Sequence, residues 1–271
     1  MKFTHYTIIG RNPAMIKGHL DNVVHHAGFE RMDCDKELVT IVYRNSNIPK
    51  EITEEICDIC SSFGSRVEFF DEPDGVFLTN LYACWNLGYV KSDDGWVFRS
   101  GSDEAFNYDS LPKLYDVAMR TRETTPKLLL NLNTIEHAVR AMSRGNHSRH
   151  LLGDFGDDFT SFNVNKFEEF VKEINKNVTE ELLDVNQSNN YWGKPTPFTC
   201  TLGSNHNRTE GSAWMITKDD WLKYGPMNPM TYGITGDCYL HDKLEIAGYK
   251  DYLTRDAVTF HFFRGESIQR Y

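Results

Sequence analysis

The chain has 271 residues, enough for one large α/β domain or two small ones, and with 40% of them apolar and 13% aromatic the composition suits a packed core and argues against a disordered chain. A formal charge of −10 argues against a protein that coats nucleic acid. No apolar run reaches the roughly 18 residues needed to cross a bilayer, and Met1-Lys2-Phe3-Thr4-His5-Tyr6 leads straight into a strand-like segment without the apolar stretch of a signal peptide, so the sequence reads as cytoplasmic.

The first third alternates strands and helices. Tyr6–Gly10 is a short apolar run ending at glycine, and Met15, Ile16, Leu20, Val23, Val24 and Ala27 then recur at helical spacing up to Gly28. Leu38–Tyr43 is a β-branched strand. Pro49 opens a helix that carries Ile52, Ile56, Ile59, Cys60 and Phe63 on one face and closes at Gly64. Cys57 and Cys60, the single C-x-x-C, fall inside that amphipathic pattern and read as reduced, buried thiols rather than a metal or redox pair. Val67–Phe70 is a third strand, Phe77–Leu87 a helix with Gly88 behind it, and Gly95–Ser100 a fourth strand. Strands and helices in this order imply right-handed crossovers and a mainly parallel sheet. From Leu111 to Gly193 the pattern reads as mostly helical with loops. The last third returns to mixed structure, with a strand over 212–216, a helix over 238–247 and a strand over 257–263.

In a mainly parallel sheet, ligands sit beyond the carboxyl ends of the strands. The turn after the fourth strand, Ser100-Gly101-Ser102-Asp103-Glu104, places Asp103 there, and a carboxylate in that position suits Mg²⁺ or Mn²⁺, hard cations that favour oxygen ligands and phosphates. The plainer alternative is a solvated Ser/Asp turn. Asn80–Gly88, followed by Gly95–Glu104, resembles the heart of the family-two GT-A glycosyltransferases, where a helix with an Asn-x-Gly end precedes a strand that delivers an Asp-x-Asp-like turn.

The resemblance implies a GT-A fold: a Rossmann-like, mainly parallel sheet flanked by helices, with 1–107 as the nucleotide-sugar-binding half, 108–209 as a helical insertion on the acceptor side and 210–271 as the acceptor and catalytic half. It implies that Asp103 binds the cation bridging the donor phosphates, with Ser102 and Glu104 beside the donor. Gly101 or Ser102 stands where the family has its first aspartate, a departure that leaves Asp103 as the main carboxylate. Gly10, Arg11, Asn12, Arg44 and Asn86 fall at positions implied to meet the nucleotide.

A second block, Glu210–Ile216 followed by Thr235-Gly236-Asp237 and the helix behind it, resembles the acceptor half of the same fold. There the catalytic base falls on Asp237, with Trp214 and Gly236 toward the acceptor. Inverting transfer needs such a carboxylate to take the proton of the attacking hydroxyl; Asp237 would equally cap its helix. His261, at the end of the last strand, falls where the wider GT-A group often has another metal ligand, and its second nitrogen would need an acceptor. Arg264 would neutralise the leaving diphosphate.

The expected activity is transfer of a sugar from a nucleoside-diphosphate sugar, UDP-sugar in the first instance, with Mn²⁺ or Mg²⁺. The alternative is a GT-A-like protein that binds nucleotide-sugar without turnover. Between Lys113 and His150, seven Lys/Arg stand against three Asp/Glu. That local excess suits an anionic acceptor, such as an acidic glycan, a teichoic-type polymer or modified phage DNA, or else a solvated helical face paired with acidic neighbours.

Overall fold

A computed structural model describes residues 1–9, 12–44, 48–71, 77–137, 151–184, 198–199, 207–208, 213–227 and 235–262. In chain order the elements are β1 (Lys2–Ile9), α1 (Pro13–Asp21) with a π turn (Asn22–His26), β2 (Lys36–Arg44), α2 (Lys50–Ser62), β3 (Arg66–Asp71), α3 (Phe77–Lys91), β4 (Gly95–Gly101), β5 (Glu104–Phe106) and α4 (Ser110–Thr124). There follow β6 (Leu128–His137), β7 (Leu151–Gly153), α5 (Val164–Asn175), β8 (Leu182–Asp184), the small pair β9 (Phe198–Thr199) and β10 (Asn207–Arg208), β11 (Trp214–Thr217), α6 (Lys218–Tyr224), α7 (Thr235–Ile246) and β12 (Lys250–His261).

The main sheet runs β3-β2-β1-β4-β11-β6-β12-β5, with β7 beside β6 and β8 beside β12. Strands β3, β2, β1 and β4 are parallel, as are β6, β7 and β12. The expected mainly parallel sheet is mixed: β11 lies antiparallel between the two parallel blocks, and β5 and β8 run antiparallel to β12. Helices α1, α2 and α4 bury Ile16, Leu20, Ile56, Cys60, Leu111 and Leu114 in one core cluster, whereas α3, α6 and α7 contribute Tyr89, Trp221, Leu240 and Leu244 to another. A third cluster, rich in phenylalanine, joins α5 to the end of β12 through Phe155, Phe167, Phe260 and Phe262. No helix among the described residues is long and apolar enough to cross a membrane.

Local chemistry explains the boundaries. Asn12 caps α1, its Oδ1 accepting the N–H groups of Ala14 and Met15 at 3.0 and 3.3 Å with Pro13 behind it. Gly28 and Gly64, both expected as stops, have φ of 87° and 68°. Gly88 is different: α3 runs through it to Lys91, and a Cβ there would lie 2.2 Å from the Tyr6 ring. It lets α3 approach β1 closely rather than ending the helix. The segment after Leu111 is also less helical than expected. It supplies β6 to the centre of the sheet, where Leu128, Leu130 and Leu132 bury one face and polar Asn131 and Asn133 alternate with them. Within α2, Cys60 is buried and its thiol is pushed up to about 11 by burial, while Cys57 is half-buried.

A buried polar chain threads β1, α1 and β4. His5 Nε2 meets Ser100 Oγ at 2.8 Å, Ser100 meets Thr7 at 3.1 Å, Thr7 meets His19 Nε2 at 2.9 Å, and His19 Nδ1 meets the Glu104 carbonyl at 2.8 Å. Burial holds both imidazoles below their ordinary value, His19 down to about 4. Both are therefore neutral in the folded chain and take up a proton on unfolding at mildly acid pH. Their contribution is fully present above pH 6.5 and is lost as pH falls toward 4, at up to about 1.4 kcal/mol per pH unit for each proton taken up. The thermal midpoint of the metal-free chain should fall across that window, and more shallowly in His19→Gln. An equal slope in the two proteins would remove His19 from the account.

Candidate active site at the carboxyl edge of the sheet

Strand β4 ends at Gly101, and the chain turns through Ser102 and Asp103 before β5 runs back along β12. Register then does the assembly. His261 is level with Glu104 on the antiparallel side of β12 and with Glu136 on the parallel side. Paired residues in adjacent strands share a face, so Glu104, His261 and Glu136 form a row. Alternation sends Ala105, Ile135 and Phe260 to the opposite face, in the phenylalanine-rich cluster.

Asp103 reaches this row from the turn. Its Oδ2 lies 3.0 Å from His261 Nε2, and its carbonyl accepts the Phe262 N–H at 3.0 Å, tying the turn to the end of β12. On the other side of the ring, His261 Nδ1 lies 3.4 Å from Glu136 Oε1. Asp103, Glu104 and Glu136 are all buried. Glu104 Oε2 accepts the Gly101 N–H at 2.9 Å, and its Oε1 has no hydrogen-bond partner among the described residues. Burial pushes Glu104 up to about 7, against the pull of His261, and the nearby Asp103 charge adds to the rise. A Cβ on Gly101 would lie 2.6 Å from Asp103 Oδ1, so a side chain there would require the Asp103 carboxylate to shift.

Among the described residues, no group of three or more His, Cys, Asp or Glu side chains makes a ready metal cage. Asp103 and His261 nevertheless bring a carboxylate oxygen and an imidazole nitrogen together, a donor pair suited to Mn²⁺. A divalent cation there would fill its remaining positions with phosphate oxygens and water.

The other expected site residues divide into three groups. Gly10, Arg11 and Arg264 lie outside the described residues. Gly236 and Asp237 fall in the first turn of α7, with side-chain positions outside the described residues. The tight turn at Gly248 leads from α7 into the parallel strand β12, and His241 packs back on Asp251 of that strand at 3.5 Å. The remaining side chains have visible employment. Asn12 is spent on its cap. Arg44 forks onto Asp71 at 2.8 and 2.9 Å and covers the Phe69 ring at 4.0 Å. Asn86 clamps the Met227 backbone, donating to its carbonyl at 2.8 Å and accepting its N–H at 3.0 Å. Ser102 and Trp214 are buried.

Trp214 and Trp85 enclose the buried Arg99 guanidinium, with ring centroids 4.8 and 3.7 Å from its carbon. Trp214 is thereby fully buried against Arg99. Of the basic stretch, Arg120 pairs with Glu181, Arg122 with Asp220, Lys113 with the Tyr108 carbonyl and Lys127 with that of Ala247. Arg140, Arg144 and Arg149 lie outside the described residues.

Sequence reasoning missed Glu136. The only available signal was an acidic residue closing the apolar run of β6, and that run was read with the helical middle.

No protein-family model matches the chain, and no curated protein matches it. Solved structures do. The fold is similar to that of GalNAc-T7 crystallised with UDP, GalNAc and Mn²⁺, with a TM-score of 0.54 and 10% identity over 97% of this chain and 43% of that one. It is similar to the mannosyltransferase PcManGT from Pyrobaculum calidifontis in complex with GDP-Man and Mn²⁺, at 0.52 and 11% over 96% and 56%. It is also similar to a fragment of TarS from S. aureus, at 0.51 and 11% over 97% and 60%. The chain thus spans about half the length of these proteins. It has the GT-A fold of nucleotide-sugar glycosyltransferases, and the likeness does not single out family two.

Proposed function

We propose that the chain is a metal-dependent glycosyltransferase acting in the cytoplasm, which moves a sugar from a nucleoside-diphosphate sugar, UDP-sugar in the first instance, to an acceptor hydroxyl. The observation that carries this reading is the convergence of Asp103 and His261 at 3.0 Å on the carboxyl edge of a GT-A sheet. Bound there, Mn²⁺ or Mg²⁺ would neutralise charge that builds on the departing diphosphate. Asp103 and His261 would hold it, the short turn through Ser102 sets their spacing, and Glu104 braces that turn at Gly101.

In the chemical step the bond from the anomeric carbon to the diphosphate oxygen breaks and a bond to the acceptor oxygen forms. The acceptor proton passes to the carboxylate of Asp237. Arg264 offers the leaving group a cation, and Gly10, Arg11, Asn12, Arg44 and Asn86 frame the nucleotide end, with Asn12 and Asn86 acting through the backbone they fix. Gly236 and Trp214 shape the acceptor side. The acceptor is a glycan, a polymer or a modified nucleic acid. A polyanion would be drawn by Arg140, Arg144 and Arg149, so its binding should weaken steeply with salt.

One observation favours a second reading. With Gly101 and Ser102 ahead of Asp103, the turn lacks a first carboxylate, which suits a protein that binds nucleotide-sugar without turning it over. Incubation with UDP-, GDP-, CMP- and dTDP-sugars, with Mn²⁺ or with EDTA, separates the two. An enzyme should release free nucleotide slowly to water from one donor class, and EDTA should stop it. Donor binding with no release in any condition would favour the second reading.

A further inference from the structure

His261 is held from both sides. Its Nε2 faces Asp103 Oδ2 at 3.0 Å and its Nδ1 faces Glu136 Oε1 at 3.4 Å. Glu136 is 4% exposed and sits level with His261 across a parallel strand pair, so its position is set by the sheet rather than by a loop. A neutral imidazole donates from one nitrogen and accepts at the other. A nitrogen that gives its lone pair to a cation carries no proton, so the proton belongs on the opposite nitrogen, where a carboxylate can receive it.

We propose that Glu136 is a positioning residue for His261. It accepts the Nδ1–H, fixes the tautomer and plane of the ring, and leaves Nε2 beside Asp103 as a donor to the divalent cation. This inference rests on the metal reading of Asp103 and His261. It adds that the central strand β6, from the segment between the two recognisable blocks, completes the site.

Two readouts test it. In the ¹⁵N-labelled chain loaded with UDP and diamagnetic Mg²⁺, which would take the Nε2 lone pair, wild type and Glu136→Gln should show His261 protonated at Nδ1, Glu136→Leu should leave the proton on Nε2 facing Asp103, and His261→Gln assigns the signal by removing it. In the second, Mn²⁺ is titrated in the presence of UDP and the free ion is followed by electron paramagnetic resonance. Glu136→Leu should weaken Mn²⁺ about 10- to 100-fold, and Glu136→Gln, which keeps the acceptor oxygen, should recover most of that loss. If the leucine variant does not fold, Glu136→Asp, with the carboxylate drawn back by one carbon, should fall between the other two. An Nδ1 proton that survives in Glu136→Leu, or an unchanged Mn²⁺ affinity in that folded variant, would overturn the role of Glu136 and leave the metal reading standing. A wild-type chain that binds no Mn²⁺ would overturn the metal reading itself, and the inference with it.

Discussion

Asp103→Asn should lower turnover by about 10³-fold, the scale of several kcal/mol that a metal clamp supplies to a departing diphosphate. Asparagine is nearly isosteric, and the backbone bond from Phe262 to the residue-103 carbonyl does not involve the side chain, so the fold should survive. What is lost is the charge. Donor affinity measured with Mn²⁺ should drop to its value in EDTA, because the amide is a poor substitute for a carboxylate facing a hard cation. The check is donor binding by calorimetry with and without metal, beside turnover. A variant that keeps full, EDTA-sensitive turnover would remove Asp103 from the metal site.

Asp237→Asn should cut turnover by about 10²- to 10⁴-fold, the usual share of a general base, while donor affinity in Mn²⁺ stays near that of wild type. The split matters more than the size of the loss. A base acts on the acceptor proton in the transition state, so its removal lowers kcat and leaves donor binding alone. If Asp237 served only its helix, where an acidic residue in the first turn is worth a few tenths to about 1 kcal/mol, the variant would melt earlier and keep its kcat. A large loss of donor binding would place Asp237 on the donor side instead.

Much of the N-terminal third was legible because its signals are local. β1 and β2 are apolar, β-branched runs bounded by turn residues, and Gly28 and Gly64 have the positive φ that a stop requires. Gly88 was misread because its reason is tertiary: the Tyr6 ring occupies the space a side chain would need. The strand β6 was missed because a short apolar run flanked by cations does not by itself distinguish strand from helix, and because its polar alternates are buried in the sheet rather than exposed.

At the site, the turn after β4 and the end of β12 named Asp103 and His261, through the position of one and the family resemblance of both, and the register of β12 explains why they meet. Glu136 could not be named, since it reaches His261 only through a strand pairing that the sequence does not announce. The same limit applies to Asn86 and Arg44. Their residue types suit a ligand, and the packed chain adds that Asn86 holds the Met227 backbone and that Arg44 pairs with Asp71 at the surface.

The central claim is that this fold binds a nucleotide-sugar through a cation held by Asp103. The most direct measurement is the thermal midpoint of wild type and Asp103→Asn with UDP-, GDP-, CMP- and dTDP-sugars, each in Mn²⁺, Mg²⁺ or EDTA, since a ligand bound only by the folded state raises the midpoint by mass action. The account predicts a rise for one nucleotide class in Mn²⁺ or Mg²⁺ that EDTA abolishes and that Asp103→Asn lacks. A rise of equal size in EDTA, or none with any nucleotide, would contradict it.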